Sequence, residues 1–318
     1  MVGSSIKKAL YKRGYDKNNN LLLTPSREEL DLSIYSEVEN WFKKNNPEIV
    51  IVAAAKVGGI YANSNQPYDF ILENLKIQIN LIEISYRYNV KTLIFLGSSC
   101  IYPKFSKQPI KEEYLLTGEL EQTNQWYAIA KIAGIKLCQA LKIQHGFNSI
   151  CLMPTNLYGP GDNYHSVNSH VIPGLIKKFY EGKVNNSKYV TCWGSGTPLR
   201  EFLYVDDLAE ACIFVMKKWH FSNHKEFLDD KKQPIYWLNV GSRFELSIKE
   251  LANKISKAID FRGEILWNEE MPDGTPRKKL DTSKINNLGW FAKTDIDKGI
   301  KLTLEHYKKE LSESTLRE

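Results

Sequence analysis

Ser98, Cys100, Tyr127 and Lys131 are the side chains whose types and spacing could do chemistry in this chain. Tyr127 and Lys131 stand at i and i+4, so on a helix they share one face. An ammonium beside a phenol favours the phenolate, so the pair is expected to bring tyrosine proton exchange nearer neutral pH. By itself the pair says little, because 17 tyrosines in a lysine-rich chain give such a spacing by chance. Ser98 changes that reading. It follows Gly97 at the end of the apolar run 92–96, where a parallel α/β sheet presents functional groups at its carboxyl edge. A serine there can hydrogen-bond a substrate oxygen as that oxygen gains charge. Cys100 sets a thiol two residues further on, and Ser-x-Cys with Tyr-x-x-x-Lys makes a proton-handling set suited to a carbonyl or an enolate.

Such a set must be held by a parallel sheet. Ile49–Ala54, Thr92–Leu96 and Ser149–Met153 are short continuous apolar runs, as in strands covered on both faces, and Leu21–Leu23 is a weaker one. Helical patterns alternate with them, which predicts an α/β fold. From Tyr68 to Tyr88, Ile71, Leu75, Ile79, Ile82 and Tyr86 form one stripe and Ile77, Leu81, Ile84 and Tyr88 a second. One stripe should cover the sheet; the other meets a partner subunit or the rest of its own chain. After Pro154 the texture changes to loops rich in Gly, Pro and Asn, at 158–163, 193–198 and 272–276, between shorter helices at Val205–Lys217, Ser247–Ile259 and Ile296–Leu311. The division expected is 1–153 for a dinucleotide-binding part and 154–318 for a smaller, mainly substrate-binding part, with Tyr236–Val240 returning to the main sheet. Asp206-Asp207 reads as a helix-starting pair rather than a catalytic dyad.

Composition excludes several classes. The 318 residues are 42% hydrophobic and 25% charged, as in ordinary globular proteins. A net charge of +6 spread along the chain is a solvated surface and not a nucleic-acid stripe. Five scattered cysteines, with no Cys-x-x-Cys, argue against a disulfide framework or zinc site and for a reducing cytoplasm. No apolar run is long enough to span a bilayer, and no secretory signal precedes the first lysines. No His/Cys/Asp/Glu group has metal-ligand spacing.

Strand-end serine followed by Tyr-x-x-x-Lys resembles the extended short-chain dehydrogenase/reductases. The wording of 53–60, 97–104, 127–136, 153–160, 168–173, 193–207 and 272–278 resembles the GDP-L-fucose synthase family across essentially the whole chain. The resemblance implies a Rossmann-type doubly wound sheet, NADP(H), a GDP-sugar substrate and a homodimer built from helices near 68–88 and 127–141. The implied reaction inverts C3 and C5 of GDP-4-keto-6-deoxy-D-mannose and then reduces C4. Carried over by residue, Ser98, Tyr127 and Lys131 match the family's catalytic triad, and Cys100 and His170 its acid/base pair. A thiolate can take a proton acidified by the C4 ketone, and an imidazolium can return one to the other face. Gly3, Arg27, Lys131, Asn156, Leu157 and His170 match cofactor contacts, Arg27 as a partner of a 2′-phosphate. Trp193, Arg200 and Lys278 match substrate contacts. His145, His165, His220, His224 and His306 read as ordinary loop or surface histidines. Two other readings stay open: a different nucleotide-sugar epimerase or reductase, and an inactive sugar-nucleotide-binding remnant. The second arises because Met1-Val2-Gly3-Ser4 resembles only the end of the family's glycine-rich turn, so a first central strand is expected to be missing.

Overall fold

The computed structural model describes residues 1–318 except 17, 19, 20, 167, 222–227, 230, 272 and 318, so His224 and Pro272 lie outside the described residues. In chain order the elements are α1 (Val2–Tyr11), α2 (Tyr35–Asn45), β1 (Ile49–Val52), α3 (Ile60–Asn65), α4 (Pro67–Arg87), β2 (Thr92–Leu96), α5 (Gln125–His145), β3 (Ser149–Pro154) and β4 (Asn156–Tyr158). Then follow α6 (Val171–Val184), β5 (Tyr189–Trp193), β6 (Leu199–Tyr204), α7 (Val205–Phe221), β7 (Trp237–Val240), β8 (Glu245–Ser247) and α8 (Ile248–Ile259). The last are β9 (Glu264–Asn268), β10 (Arg277–Lys278), α9 (Ser283–Asn287) and α10 (Ile296–Ser312).

The main sheet runs β1-β2-β3-β7, all parallel, with Val52, Phe95, Cys151 and Trp237 level across it. Side chains alternate between its faces. Ile94, Leu96, Ile150 and Leu152 meet α1 and α7 through Ile6, Leu10, Leu208 and Cys212. Leu93, Phe95, Cys151 and Met153 meet α2, α4 and α5 through Phe42, Ile82, Ile84 and Ile135. Helices on both faces make this the doubly wound arrangement expected. Tyr236–Val240 does return to the sheet, as β7. A third apolar cluster, from Tyr158 to Tyr307, draws only on the later part of the chain and packs α6, α8 and α10 around β6.

The two-striped helix forms as α4, but its most protected line is Phe70, Asn74, Gln78, Leu81 and Ser85, which is partly polar. The polar members are used: Gln78 donates its amide to the Ala130 carbonyl on α5, and Asn74 caps loop groups at Lys56 through bonds of 3.0 Å. Leu21–Leu23 does not become a strand. Among the described residues β1 pairs only with β2, so no neighbour is in register to accept these three residues and their apolarity finds no ladder. Asp206 and Asp207 lie in the first turn of α7, where they accept from the Ser5 hydroxyl at 2.5 Å and the Thr294 amide at 2.9 Å; both are structural.

Glu112 carries a pH-dependent cost. It is 4% exposed, accepts from the Asn239 amide at 3.0 Å, and burial pushes its carboxyl up from 4.5 to about 7. A carboxyl raised on folding contributes its stability below its unfolded value and loses it as pH climbs through the folded one. Glu112→Gln should therefore stabilise the fold by roughly 2–3 kcal/mol at pH 8 and by almost nothing at pH 4.5. Denaturant melts at both pH values check this, and equal changes at the two would refute it.

Candidate active site

The carboxyl ends of β1, β2 and β3 open into one cleft of about 480 Å³, closed on the far side by α6, β5, β6 and β10. Ser98, Cys100, Tyr127, Lys131, Asn156, Leu157, His170, Trp193, Arg200 and Lys278 all line it. These come from seven stretches of chain spanning 180 residues, so the fold brings together what spacing alone could not. Two expected residues do not line it. Gly3 sits in the first turn of α1 beside Ala53, while Met1 and Val2 face the cleft; Arg27 is exposed in the loop after residue 21.

Ser98 follows β2 by two residues in extended backbone, and its hydroxyl accepts from the Cys100 amide at 3.2 Å, capping the short turn that carries the thiol. One bond thus fixes hydroxyl and thiol together. The Tyr127 phenol reaches the same hydroxyl. Lys131 is 3% exposed; its ammonium donates to the Leu96 carbonyl at 2.9 Å and lies 4.8 Å from the centre of the Phe95 ring. Burial pushes it down to about 8.

The tyrosine differs from expectation. Burial pushes the Tyr127 phenol up, Cys100 adds to the push, and the Ser98 hydrogen bond only partly opposes it. The Lys131 ammonium sits 5.8 Å from the ring centre, toward the ring rather than the hydroxyl, so desolvation wins over attraction. At neutral pH Tyr127 is a phenol with a proton to give.

His170 is the residue before α6. Its Nδ1 lies 3.9 Å from Oδ1 of Asp162, a carboxylate that is 4% exposed and whose other oxygen has no hydrogen-bond partner among the described residues. The loop carrying His170 is joined to the β1 side through backbone: the Gly59 amide donates to the Asn168 carbonyl at 3.0 Å. A Cβ on Gly59 would stand 2.8 Å from the Ser169 carbonyl oxygen, so only glycine permits this approach. Arg200 donates to the carbonyls of Leu199 at 2.9 Å and Asp273 at 3.2 Å, and burial pushes its guanidinium below the usual arginine range. The Asp273 carboxylate accepts from the Ser195 amide and hydroxyl, at 2.9 and 2.8 Å, tying the two glycine loops together.

Sequence reasoning missed Lys178, Asp162 and Asp273 as functional side chains. Lys178 on α6 lines the cleft, with its ammonium 5.2 Å from the Trp193 ring centre and lowered by burial. Its only sequence signal was a helix position eight residues after His170, two turns on and on the same face. The ordinary histidines are structural where described. His145 stacks on Tyr86, His165 accepts the Asn168 amide at 3.1 Å, His220 lies 3.1 Å from the Thr92 hydroxyl, and His306 lies 3.2 Å from Glu310. Among the described residues no group of His, Cys, Asp and Glu could hold a metal.

The donors fit a dinucleotide. The start of α1 faces the cleft beside Ala53–Ala55, where backbone amides can hold a diphosphate. Further in, the Lys131 ammonium and Asn156 can hold a ribose and the nicotinamide end. The outer half offers an indole and three cations, Lys178, Arg200 and Lys278, which suits a base and a diphosphate.

Comparison with known proteins agrees. Residues 1–228 match the NAD dependent epimerase/dehydratase family. GDP-L-fucose synthase 1 of Arabidopsis thaliana is 50% identical over 309 residues, covering 97% of this chain and 90% of that one. A GDP-6-OMe-4-keto-L-xylo-heptose reductase from Campylobacter jejuni superposes with a TM-score of 0.89 at 36% identity, covering 97% and 95% of the two chains. A GDP-L-fucose synthetase from Naegleria fowleri bound to NADP gives 0.82 at 26% identity, covering 100% and 93%. With ten of its expected site residues gathered in one cleft of a doubly wound sheet, this chain belongs to the NAD dependent epimerase/dehydratase family and, within it, to the GDP-L-fucose synthases.

Proposed function

We propose that the protein converts GDP-4-keto-6-deoxy-D-mannose to GDP-L-fucose by epimerisation at C3 and C5 and reduction at C4. The observation that carries this reading is the presence, in one cleft, of a thiol and an imidazole beside a Ser/Tyr/Lys set. A simple reductase needs only the last three. NADPH held in the cleft supplies the reducing equivalent. Cys100 takes a proton from a carbon next to the ketone, and His170, backed by Asp162, returns one from the other side. Ser98 and Tyr127 donate hydrogen bonds to the oxygen while it carries enolate charge. Tyr127 then gives its proton to that oxygen as C4 is reduced. Lys131 orients the cofactor ribose, and Arg27 is the candidate partner for its 2′-phosphate. Trp193, Arg200 and Lys278, with Lys178, hold the GDP end; residues 154–318 are mainly the substrate-binding part.

Incubating the enzyme with substrate in deuterium oxide without NADPH tests the reading. Deuterium should enter at C3 and C5, and Cys100→Ser should slow that entry about 10²–10³-fold while NADPH affinity stays within about twofold. No deuterium entry with the parent enzyme, at a cofactor affinity sufficient for reduction, would leave a plain reductase.

The reading extends to a cytoplasmic homodimer. Five cysteines without a disulfide suit a reducing compartment, and among the described residues no helix is long and apolar enough to cross a membrane. On the outer faces of α4 and α5, Tyr68, Ile79, Trp126 and Ile129 are 70%, 42%, 37% and 38% exposed. A second copy of the same two helices would cover them as a four-helix contact. Light scattering at micromolar concentration should give twice the 36.6 kDa chain mass; a monomer mass would count against the contact.

A further inference from the structure

Lys278 matches a substrate contact by sequence, yet its ammonium donates to Cys100 Sγ at 3.3 Å. We propose that Lys278 is a positioning residue for Cys100, holding it as a thiolate before substrate arrives, so that the base of the epimerisation is charged in the resting enzyme. This rests on the function proposed above, in which Cys100 is that base.

The surroundings leave this work to Lys278. Arg200 and Tyr127 also act on Cys100, and Glu121 and Asp273 line the same cleft. Arg200 turns two of its N–H groups to the Leu199 and Asp273 carbonyls, and its charge reaches Cys100 from further off than Lys278 does. Glu121 accepts from Thr123 and lies 3.9 Å from Lys104. The Asp273 carboxylate is held by Ser195, and Tyr127 is an uncharged phenol. Among the described residues, Lys278 is the cation hydrogen-bonded to the sulfur. An ammonium on a thiolate is a charge-assisted hydrogen bond, which loses most of its strength when the sulfur is protonated.

The backbone around Lys278 is clamped on both sides. On one side β10 pairs in parallel with β6, Lys278 opposite Arg200. On the other, the Gln108 side chain donates to the Arg277 carbonyl at 3.1 Å and accepts from the Lys279 amide at 2.9 Å. One amide thus grips the residues before and after Lys278, which sets how far its ammonium can reach. The step it serves is balanced without another reagent. The thiolate takes the proton from C3 or C5, the C–H electron pair becomes the enolate double bond, and the carbonyl π pair moves to oxygen. Lys278 keeps its own proton throughout.

The test is made on the free enzyme, where a substrate contact cannot contribute. Cys138, Cys151, Cys192 and Cys212 are buried, so iodoacetamide at pH 7 reads Cys100, with Cys100→Ser as the blank. Lys278→Met should slow alkylation at least about tenfold, and Lys278→Arg should restore most of it. Deuterium entry at C3 and C5 should fall with the alkylation rate. If Lys278→Met instead raises KM alone and leaves alkylation unchanged, Lys278 is a substrate contact and the proposal is overturned. Should that variant not fold, the parent enzyme still decides: its thiolate absorbance near 240 nm at pH 7 must exceed that of Cys100→Ser, and no difference overturns the proposal. Failure of the function itself reads differently, as a reactive, Lys278-dependent thiol with no deuterium entry into the substrate.

Discussion

Tyr127→Phe should cost about 10³-fold in the reduction at C4 and less than about tenfold in deuterium entry at C3 and C5. The asymmetry follows from the geometry. During enolate formation the ketone oxygen needs hydrogen-bond donors, and Ser98 remains one after the change. During reduction that oxygen becomes an alkoxide and must receive a whole proton. The phenol is the group placed to give it: burial and Cys100 push it up, so it still carries its proton at neutral pH. Phenylalanine keeps the ring on which the Lys131 ammonium rests, so Lys131 should hold its place. Single-turnover reduction and isotope exchange, measured on one preparation, check the split. Equal losses in the two steps would remove Tyr127 from its assigned role.

Glu201→Ala should destabilise the protein by roughly 3–5 kcal/mol, the largest structural effect expected from a residue that does not line the cleft. Glu201 on β6 has no solvent exposure. Its carboxylate accepts from the Arg243 amide at 2.7 Å and the Leu280 amide at 3.0 Å. Its carbonyl accepts from the Thr155 hydroxyl at 3.1 Å and the Asn156 amide at 2.8 Å. Burial raises the carboxyl, and these amide donors hold it back. Alanine would strand the buried Leu280 N–H and the part-buried Arg243 N–H and leave a hole against Gly241, whose Cα packs so closely on the carboxylate that a Cβ there would collide with it. The main-chain carbonyl survives the change, so the bond that holds Asn156 should remain and NADPH affinity should fall far less than stability. A denaturant melt measures the first effect, and a loss below about 1 kcal/mol would show the site relaxes around the gap.

Much of the fold could be read from local pattern. Thr92–Leu96 is the whole of β2, and Ser98 stands where a parallel sheet presents its chemistry. The helical repeat located α4 to within a few residues, because covering a sheet imposes a regular stripe, while α5 was placed through the resemblance. Leu21–Leu23 has the same apolarity as a strand and is none, since a strand is defined by its neighbour and not by itself. The motif residues were legible as a resemblance; their electrostatics were not. Tyr127 and Lys131 promise a lowered phenol by spacing, and burial reverses the sign. Lys278 and Cys100 lie 178 residues apart, so only the topology of β6, β10 and the end of β2 could reveal the contact. Asp162 behind His170 and Lys178 beside Trp193 were hidden for the same reason: each is an ordinary residue until the chain folds it against a particular neighbour.

The meeting of Gly59 with residues 168 and 169 has a consequence for how this protein can drift over generations. Because the bond joins two backbones, no side chain carries it and none can be exchanged to abolish it. Neighbouring loop residues are therefore free to vary without parting the two walls of the cleft. Position 59 is the exception, where one added methyl would press on the Ser169 carbonyl and carry His170 away from Cys100. Tolerance at flanking loop positions whose side chains do no chemistry should accordingly be broad, and at Gly59, a residue that takes no part in the reaction, narrow.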